Sequence, residues 1–81
     1  MTRKEKRVVA LLANPAGVRL DEACKIAAEI GFQRLSGKGS HCTYGKEGEP
    51  LLLNFQNRNG YIKPYQARQL IDMVRKYGYS T

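Results

Sequence analysis

The sequence predicts a small α+β domain in which three short antiparallel strands lie between helical segments. Apolar residues recur at i, i+3 and i+4 towards both ends of the chain, as in amphipathic helices. The middle of the chain instead carries short runs separated by glycine-rich turns, which is typical of a meander of strands. The 81 residues leave room for one domain, spanning 1–81.

Two helices are predicted before the strands. Residues 4–13 place Val8, Leu11 and Leu12 on one face, and Pro15 and Gly17 resist continuation of this helix. We expect it to extend the core. A second helix over 20–30 carries an apolar stripe formed by Leu20, Ala23, Cys24, Ala27 and Ile30. Gly31 is then expected to form the left-handed cap that ends it.

The strands are predicted at 33–36, 40–44 and 51–55. Side chains alternate between the two faces of a strand. The middle strand therefore presents Ser40, Cys42 and Tyr44 to one face, and His41 and Thr43 to the other. Leu51, Leu53 and Phe55 are expected to supply the core face of the third strand.

A last helix is predicted to begin at Pro64, which suits a first turn, and to end at Gly78. Its buried stripe comprises Ala67, Leu70, Ile71 and Val74. The order α-α-β-β-β-α predicts two layers, with the helices on one face of the sheet. The other face is left open, and His41 is expected to point into it.

The charge balance indicates a polyanionic partner. Fourteen Lys and Arg residues against seven Asp and Glu give a net charge of +7, which favours nucleic acid first and an acidic membrane or protein second. Two cysteines and one histidine are too few for a zinc site, so no metal and no cofactor are expected. The apolar stretch over 8–13 is too short for a signal peptide or membrane span, so the expected compartment is the cytoplasm.

His41 is the main candidate for chemistry. No paired carboxylates stand out in the sequence, and it contains no HExxH sequence and no Walker-type phosphate loop. A histidine can accept or donate a proton near neutral pH, and Arg34, Lys38 and Lys46 are candidate cationic neighbours. Such a group suits cleavage of an RNA phosphodiester by general acid–base catalysis. From spacing alone, however, a lone histidine on a strand is more often a bystander.

Two further cations are open to two interpretations. Arg58 and Lys63 are either solvated surface charges or phosphate contacts. Lys63 precedes a predicted helix N-terminus, where free N–H groups attract phosphate. We therefore include both residues in the candidate RNA-binding set, together with Arg34, Lys38, Gly39 and Ser40.

The sequence resembles the HicA family of mRNA-cleaving toxins. The likeness lies in the Ile-Gly-Phe step at 30–32, the run GKGSHCTY at 37–44 and the Arg-Gln-Leu-Ile step at 68–71. It extends over about residues 20–78. Residues 1–18 lie outside the family pattern as an N-terminal extension with its own helix, and residues 19–78 form the family-like core. Many relatives carry a second histidine where this chain has Cys42.

The resemblance implies a fold like a double-stranded-RNA-binding domain and the activity of a ribosome-independent mRNA endonuclease. It also implies the toxin role in a type II toxin–antitoxin system, silenced by a HicB-type antitoxin that covers the histidine. The catalytic position falls on His41, and its motif on Gly39 and Ser40. Assigning Lys38 to a phosphate contact is our own inference.

Two other functions fit the sequence. The first is a non-catalytic module that binds double-stranded RNA through its phosphates and 2′-hydroxyls. The second is an interaction module whose basic face docks an acidic protein. The sequence also leaves open whether His41 acts as base or as acid.

Overall fold

The computed structural model describes residues 3–38 and 41–78, with the backbone alone for Lys4 and Lys38. Within these ranges the predicted order of helices and strands is confirmed. The helices are α1 (Arg3–Ala13), α2 (Leu20–Glu29) and α3 (Pro64–Met73), and the strands are β1 (Gln33–Lys38), β2 (His41–Lys46) and β3 (Glu49–Gln56). A 3-10 turn, Pro15–Gly17, follows α1, and a π-helical turn, Val74–Gly78, extends α3. In the described ranges no helix has the length and apolarity needed to cross a membrane.

The strands form an antiparallel sheet in the order β1-β2-β3. Cys42 and Tyr44 face the core and are buried, whereas His41 on the alternate face is exposed. The predicted alternation along β2 is therefore confirmed for the residues described. The register of β1 against β2 shifts between Arg34 and Ser36, so Leu35 is an extra residue in a β-bulge.

The helices pack on one face of the sheet, as expected. The most deeply buried side chains come from every layer: Leu11, Ile26, Leu53, Phe55, Leu70 and Val74. Helix α1 belongs to this core through Val8 and Leu11. Arg7 also ties α1 to α2, since its guanidinium lies 3.2 Å from a Glu22 carboxylate oxygen and 3.1 Å from one of Glu29.

The two cysteines are free thiols. Cys42 lies in the core, and Cys24 is half-buried against it. Burial raises the pKa of the Cys24 thiol, and burial likewise raises the pKa of Tyr44 to about 12. Their neutral forms suit an apolar interior.

The chain turns from α2 into β1 at Gly31, which has a φ of +99°. The Phe32 N–H then donates to the Ala27 carbonyl over 2.9 Å, so the predicted glycine cap is confirmed.

The buried carboxylate of Glu49 connects the start of β3 to the turn that extends α3. This carboxylate accepts hydrogen bonds of 2.6 Å from Lys76 Nζ and 2.6 Å from the Tyr77 hydroxyl. The Leu51 N–H donates to its other oxygen over 2.9 Å. These contacts, the one to Lys76 first, lower the pKa of Glu49 to about 2. The start of β3 is thus locked to the end of α3.

Candidate active site

His41 stands at the start of β2, on the open face of the sheet. In the register it pairs with Lys38 of β1 on one side and with Gln56 of β3 on the other. Its exposed side chain borders a pocket of about 230 Å³. Residues of β2, β3 and α3 line this pocket: His41, Cys42, Thr43, Asn54, Phe55, Gln56, Tyr65 and Gln66.

The buried amide of Gln66 holds the first turn of α3 against the end of β3. Its Oε1 accepts hydrogen bonds of 3.1 Å from the N–H of Gln56 and 3.1 Å from the N–H of Lys63. The second of these is the contact that a glutamine at the third helical position makes with the N-cap residue. Because Gln56 pairs with His41, this amide fixes the distance between the histidine and the helix start.

Tyr65 lines the pocket on the side of α3, and Lys63 lies next to it outside the lining. The Tyr65 side chain is 51% exposed, and its hydroxyl accepts a hydrogen bond of 3.4 Å from Gln66 Nε2. Lys63 Nζ lies over the Tyr65 ring, 6.0 Å from its centroid. The exposed ring that lines this side of the pocket thus has a cation next to it.

The open face is polar next to His41 and apolar further along β2 and β3. The Thr43 hydroxyl donates a 2.9 Å hydrogen bond to Asn54 Oδ1. Further along, the side chains of Leu35 and Leu52 approach each other over Gly45 and remain 59% and 45% exposed. The polar end of this face therefore coincides with His41.

The structure brings some of the predicted site residues together. Lys38 lies directly opposite His41 in the strand register, and Lys63 lies beside Tyr65, which lines the pocket. Gly39 and Ser40 lie outside the described residues. The first strand, predicted at 33–36, extends two residues further, since Gly37 and Lys38 belong to β1 and pair with Cys42 and His41.

Arg34 is not a neighbour of His41, contrary to expectation. It pairs with the buried Tyr44, and its guanidinium group lies against Gly37 on that same face. The physical reason is the bulge at Leu35, because one extra residue moves every preceding side chain to the opposite face.

Lys46 also lies away from the histidine. It occupies the opposite end of β2, where its Nζ lies 5.0 Å from the Tyr77 ring centroid and against Gly31. Cation–π contact with Tyr77 draws this side chain to the helical face.

Arg58 is exposed in a tight turn that follows β3. Its N–H donates to the Tyr61 carbonyl over 2.7 Å, and the Tyr61 N–H donates back over 3.0 Å. Asn59 and Gly60 between them have φ values of +54° and +91°, as in a type I′ turn. Arg58 is not part of the pocket lining.

A second, larger pocket of about 330 Å³ lies between α1 and α2. Its floor includes Leu11, Val18 and Ile26, and Arg7 at its edge is already paired with two glutamates. His41 is not part of its lining. We place the candidate site at the smaller pocket, because His41 lines it and a histidine can accept or donate a proton near neutral pH.

Comparisons of the chain with protein-family models, curated proteins and solved structures found no match.

Tyr65 and Gln66 line the pocket but were not among the predicted site residues. The spacing of Lys63, Pro64 and Gln66 carried a usable signal, since a proline at the first helical position and a glutamine at the third mark a helix start. What the spacing does not show is that this start lies against the end of β3. Chemically, the pocket offers one imidazole, amide groups and the hydroxyls of Thr43 and Tyr65, with the Lys63 ammonium next to the Tyr65 ring.

Proposed function

We propose that the chain is a metal-independent endoribonuclease with His41 as its catalyst, acting as the toxin of a HicA-type toxin–antitoxin pair. The observation that carries the proposal is the exposed imidazole of His41, which borders a pocket next to the start of α3. The net charge of +7 supports an anionic substrate. The order α-β-β-β-α after α1 supports a fold like that of a double-stranded-RNA-binding domain.

In the proposed reaction, the 2′-oxygen of a ribose attacks the adjacent phosphorus. The bond from the 2′-oxygen to phosphorus forms, and the bond from phosphorus to the 5′-oxygen breaks. The 2′-hydroxyl loses a proton, and the leaving 5′-oxygen gains one. His41 performs one of these transfers and water the other, so the products are a 2′,3′-cyclic phosphate and a 5′-hydroxyl.

Cations and helix dipoles stabilise the charge on the phosphate in this scheme. Lys38, opposite His41 in the register, and Lys63, at the start of α3, are the proposed phosphate contacts. The dipole of α3 adds partial positive charge at its N-terminus. Each well-placed donor of this kind contributes about 10²–10³-fold to rate.

The test is cleavage of a labelled mRNA in EDTA, resolved on a denaturing gel. His41→Ala is expected to lose about 10²–10⁴-fold in rate, the usual contribution of a general acid or base. Leu52→Thr is the matched control, because Leu52 lies on the open face outside the pocket. Equal cleavage by wild type and His41→Ala would refute the assignment. Intact RNA with a retained gel shift would favour the non-catalytic RNA-binding module.

The proposed partner is a HicB-type antitoxin that covers the face carrying His41. A basic protein with an exposed catalytic group suits an acidic inhibitor, since opposite charges steer the encounter. Expression of the chain alone is then expected to stop cell growth, whereas His41→Ala is tolerated. Normal growth with well-folded wild-type protein would count against the toxin role.

A further inference from the structure

We propose that Tyr65 is a stacking platform for a nucleobase, and that the substrate of the His41 pocket is therefore single-stranded RNA. This inference rests on the proposed function, because it names the substrate class of the same site. The residues that carry it are Tyr65, Lys63 and Gln66, all in or next to the first turn of α3.

The exposure of Tyr65 indicates a surface built for contact. Half of this large side chain is open to solvent, 51%, although it borders a pocket shared with His41. Its hydroxyl accepts a 3.4 Å hydrogen bond from the amide of Gln66, which helps to orient the ring. That amide is in turn held by the N–H groups of Gln56 and Lys63. A ring oriented in this way loses little further freedom when a ligand stacks on it.

Lys63 supplies the charge that a nucleotide needs beside the ring. Its Nζ lies over the Tyr65 ring at 6.0 Å from the centroid. Aromatic rings next to cations are the usual elements of single-strand recognition, because the ring stacks a base while the cation contacts its phosphate. Tyr65 and His41 line the same pocket, so a base stacked on the ring borders the pocket that holds the histidine.

Two observations favour single-stranded RNA over duplex RNA as the substrate: the stacking of bases within a duplex and the size of the pocket. In a duplex both faces of each base are covered by stacked neighbours, so that only an unpaired base can be splayed onto an aromatic side chain. The pocket of about 230 Å³ is also smaller than the roughly 300–1,000 Å³ of pockets for drug-sized ligands. It therefore suits one base rather than a base pair.

The binding experiment uses an RNA that cannot be cleaved. A 2′-fluoro oligonucleotide lacks the attacking hydroxyl, and one 2-aminopurine within it loses fluorescence when it stacks. Wild type and Tyr65→Phe are expected to quench this emission with the single strand, and to bind the same strand annealed to its complement more weakly. Tyr65→Ala is expected to bind about 5- to 150-fold more weakly, the affinity equivalent of stacking one base.

Tyr61→Ala is the matched control. Tyr61 is also exposed, at 39%, and also lies next to a cation, with the Arg19 guanidinium 5.6 Å from its ring centroid. It is not part of the pocket lining, so its loss is expected to leave quenching unchanged. Thermal unfolding of each variant, followed by circular dichroism, separates lost stacking from lost folding, and Tyr65→Leu repeats the test with apolar bulk retained.

The outcomes separate this inference from the proposed ribonuclease activity. If wild type cleaves RNA and Tyr65→Ala matches Tyr61→Ala in binding and cleavage, the stacking role is wrong and the ribonuclease stands. Quenching that depends on Tyr65 without any cleavage would support stacking and overturn the ribonuclease. Equal or tighter binding of the duplex would overturn the single-strand assignment, as would a failure to bind either RNA.

Discussion

Replacing Gln66 with methionine should destabilise the domain far more than its small change in shape suggests. Gln66 is only 3% exposed, and its Oε1 is the acceptor for the N–H groups of both Gln56 and Lys63. Methionine has a similar length and helix propensity but no comparable acceptor. The variant therefore leaves two partly buried backbone donors without their partner.

The size of the effect follows from these two hydrogen bonds. An unsatisfied donor costs about 1–3 kcal/mol, and the partial exposure of these two places each near the lower limit. The sum is about 2–3 kcal/mol. A domain of 81 residues is expected to have a total stability of about 4–12 kcal/mol. At about 4–8 °C per kcal/mol, the midpoint of thermal unfolding should fall by about 8–24 °C.

Circular dichroism during heating, with urea unfolding as a second measurement, tests this expectation. Gln69→Met makes the same change at a half-buried position on the same helix and is expected to shift the midpoint little. Gln66→Glu keeps an acceptor oxygen, and its charge suits the N-terminus of a helix, so it should retain more stability than Gln66→Met. If Gln66→Met unfolds within 2–3 °C (about 0.5 kcal/mol) of Gln69→Met, the two hydrogen bonds do not hold α3 in place.

Two further predictions concern the two ends of β3. The pKa of Glu49 is lowered from 4.5 to about 2, so its stabilising contribution is present above pH 4.5 and is lost as the pH falls towards 2. Glu49→Gln should therefore lower the midpoint of thermal unfolding at pH 7, and its difference from the wild-type midpoint should shrink as the pH falls from 4.5 to 2. A difference in midpoint that does not change with pH would contradict the assignment. In the turn after β3, Gly60 has a φ of +91°, and among the described residues none beyond its chain neighbours comes within 4 Å of the point where a Cβ would lie. Gly60→Ala should cost about 1–2 kcal/mol from backbone strain alone, and Gly60→Asn less, because asparagine adopts positive φ more readily; equal midpoints for the two variants would argue against strain.

Much of the fold was predictable because it depends on local patterns. The apolar spacing in 20–30 and 64–74 predicted the positions of α2 and α3, and α2 ends just before Gly31, as that glycine predicted. The alternation along β2 separated His41 from Cys42. Each of these features is determined by residues within one or two turns of one another, so that periodicity alone was sufficient.

The candidate site was only partly predictable because it depends on contacts between distant segments. Alternation along the first strand predicts that Arg34 lies on the same face of the sheet as Lys38. The bulge at Leu35 instead moves Arg34 to the face that carries Tyr44. A single sequence carries no clear mark of a bulge. The contribution of Tyr65 required knowing that the start of α3 lies against the end of β3. The positions of Gly39 and Ser40 lie outside the described residues.

The bulge at Leu35 also affects how the protein behaves at high concentration. Strand β1 lies at one edge of the described sheet and β3 at the other, and an exposed edge is a template for pairing with another chain. The extra residue interrupts the regular ladder of β1, and Pro50 within β3 offers no N–H to an incoming strand. Both edges are thus poor templates, which protects a small, basic protein from edge-to-edge aggregation.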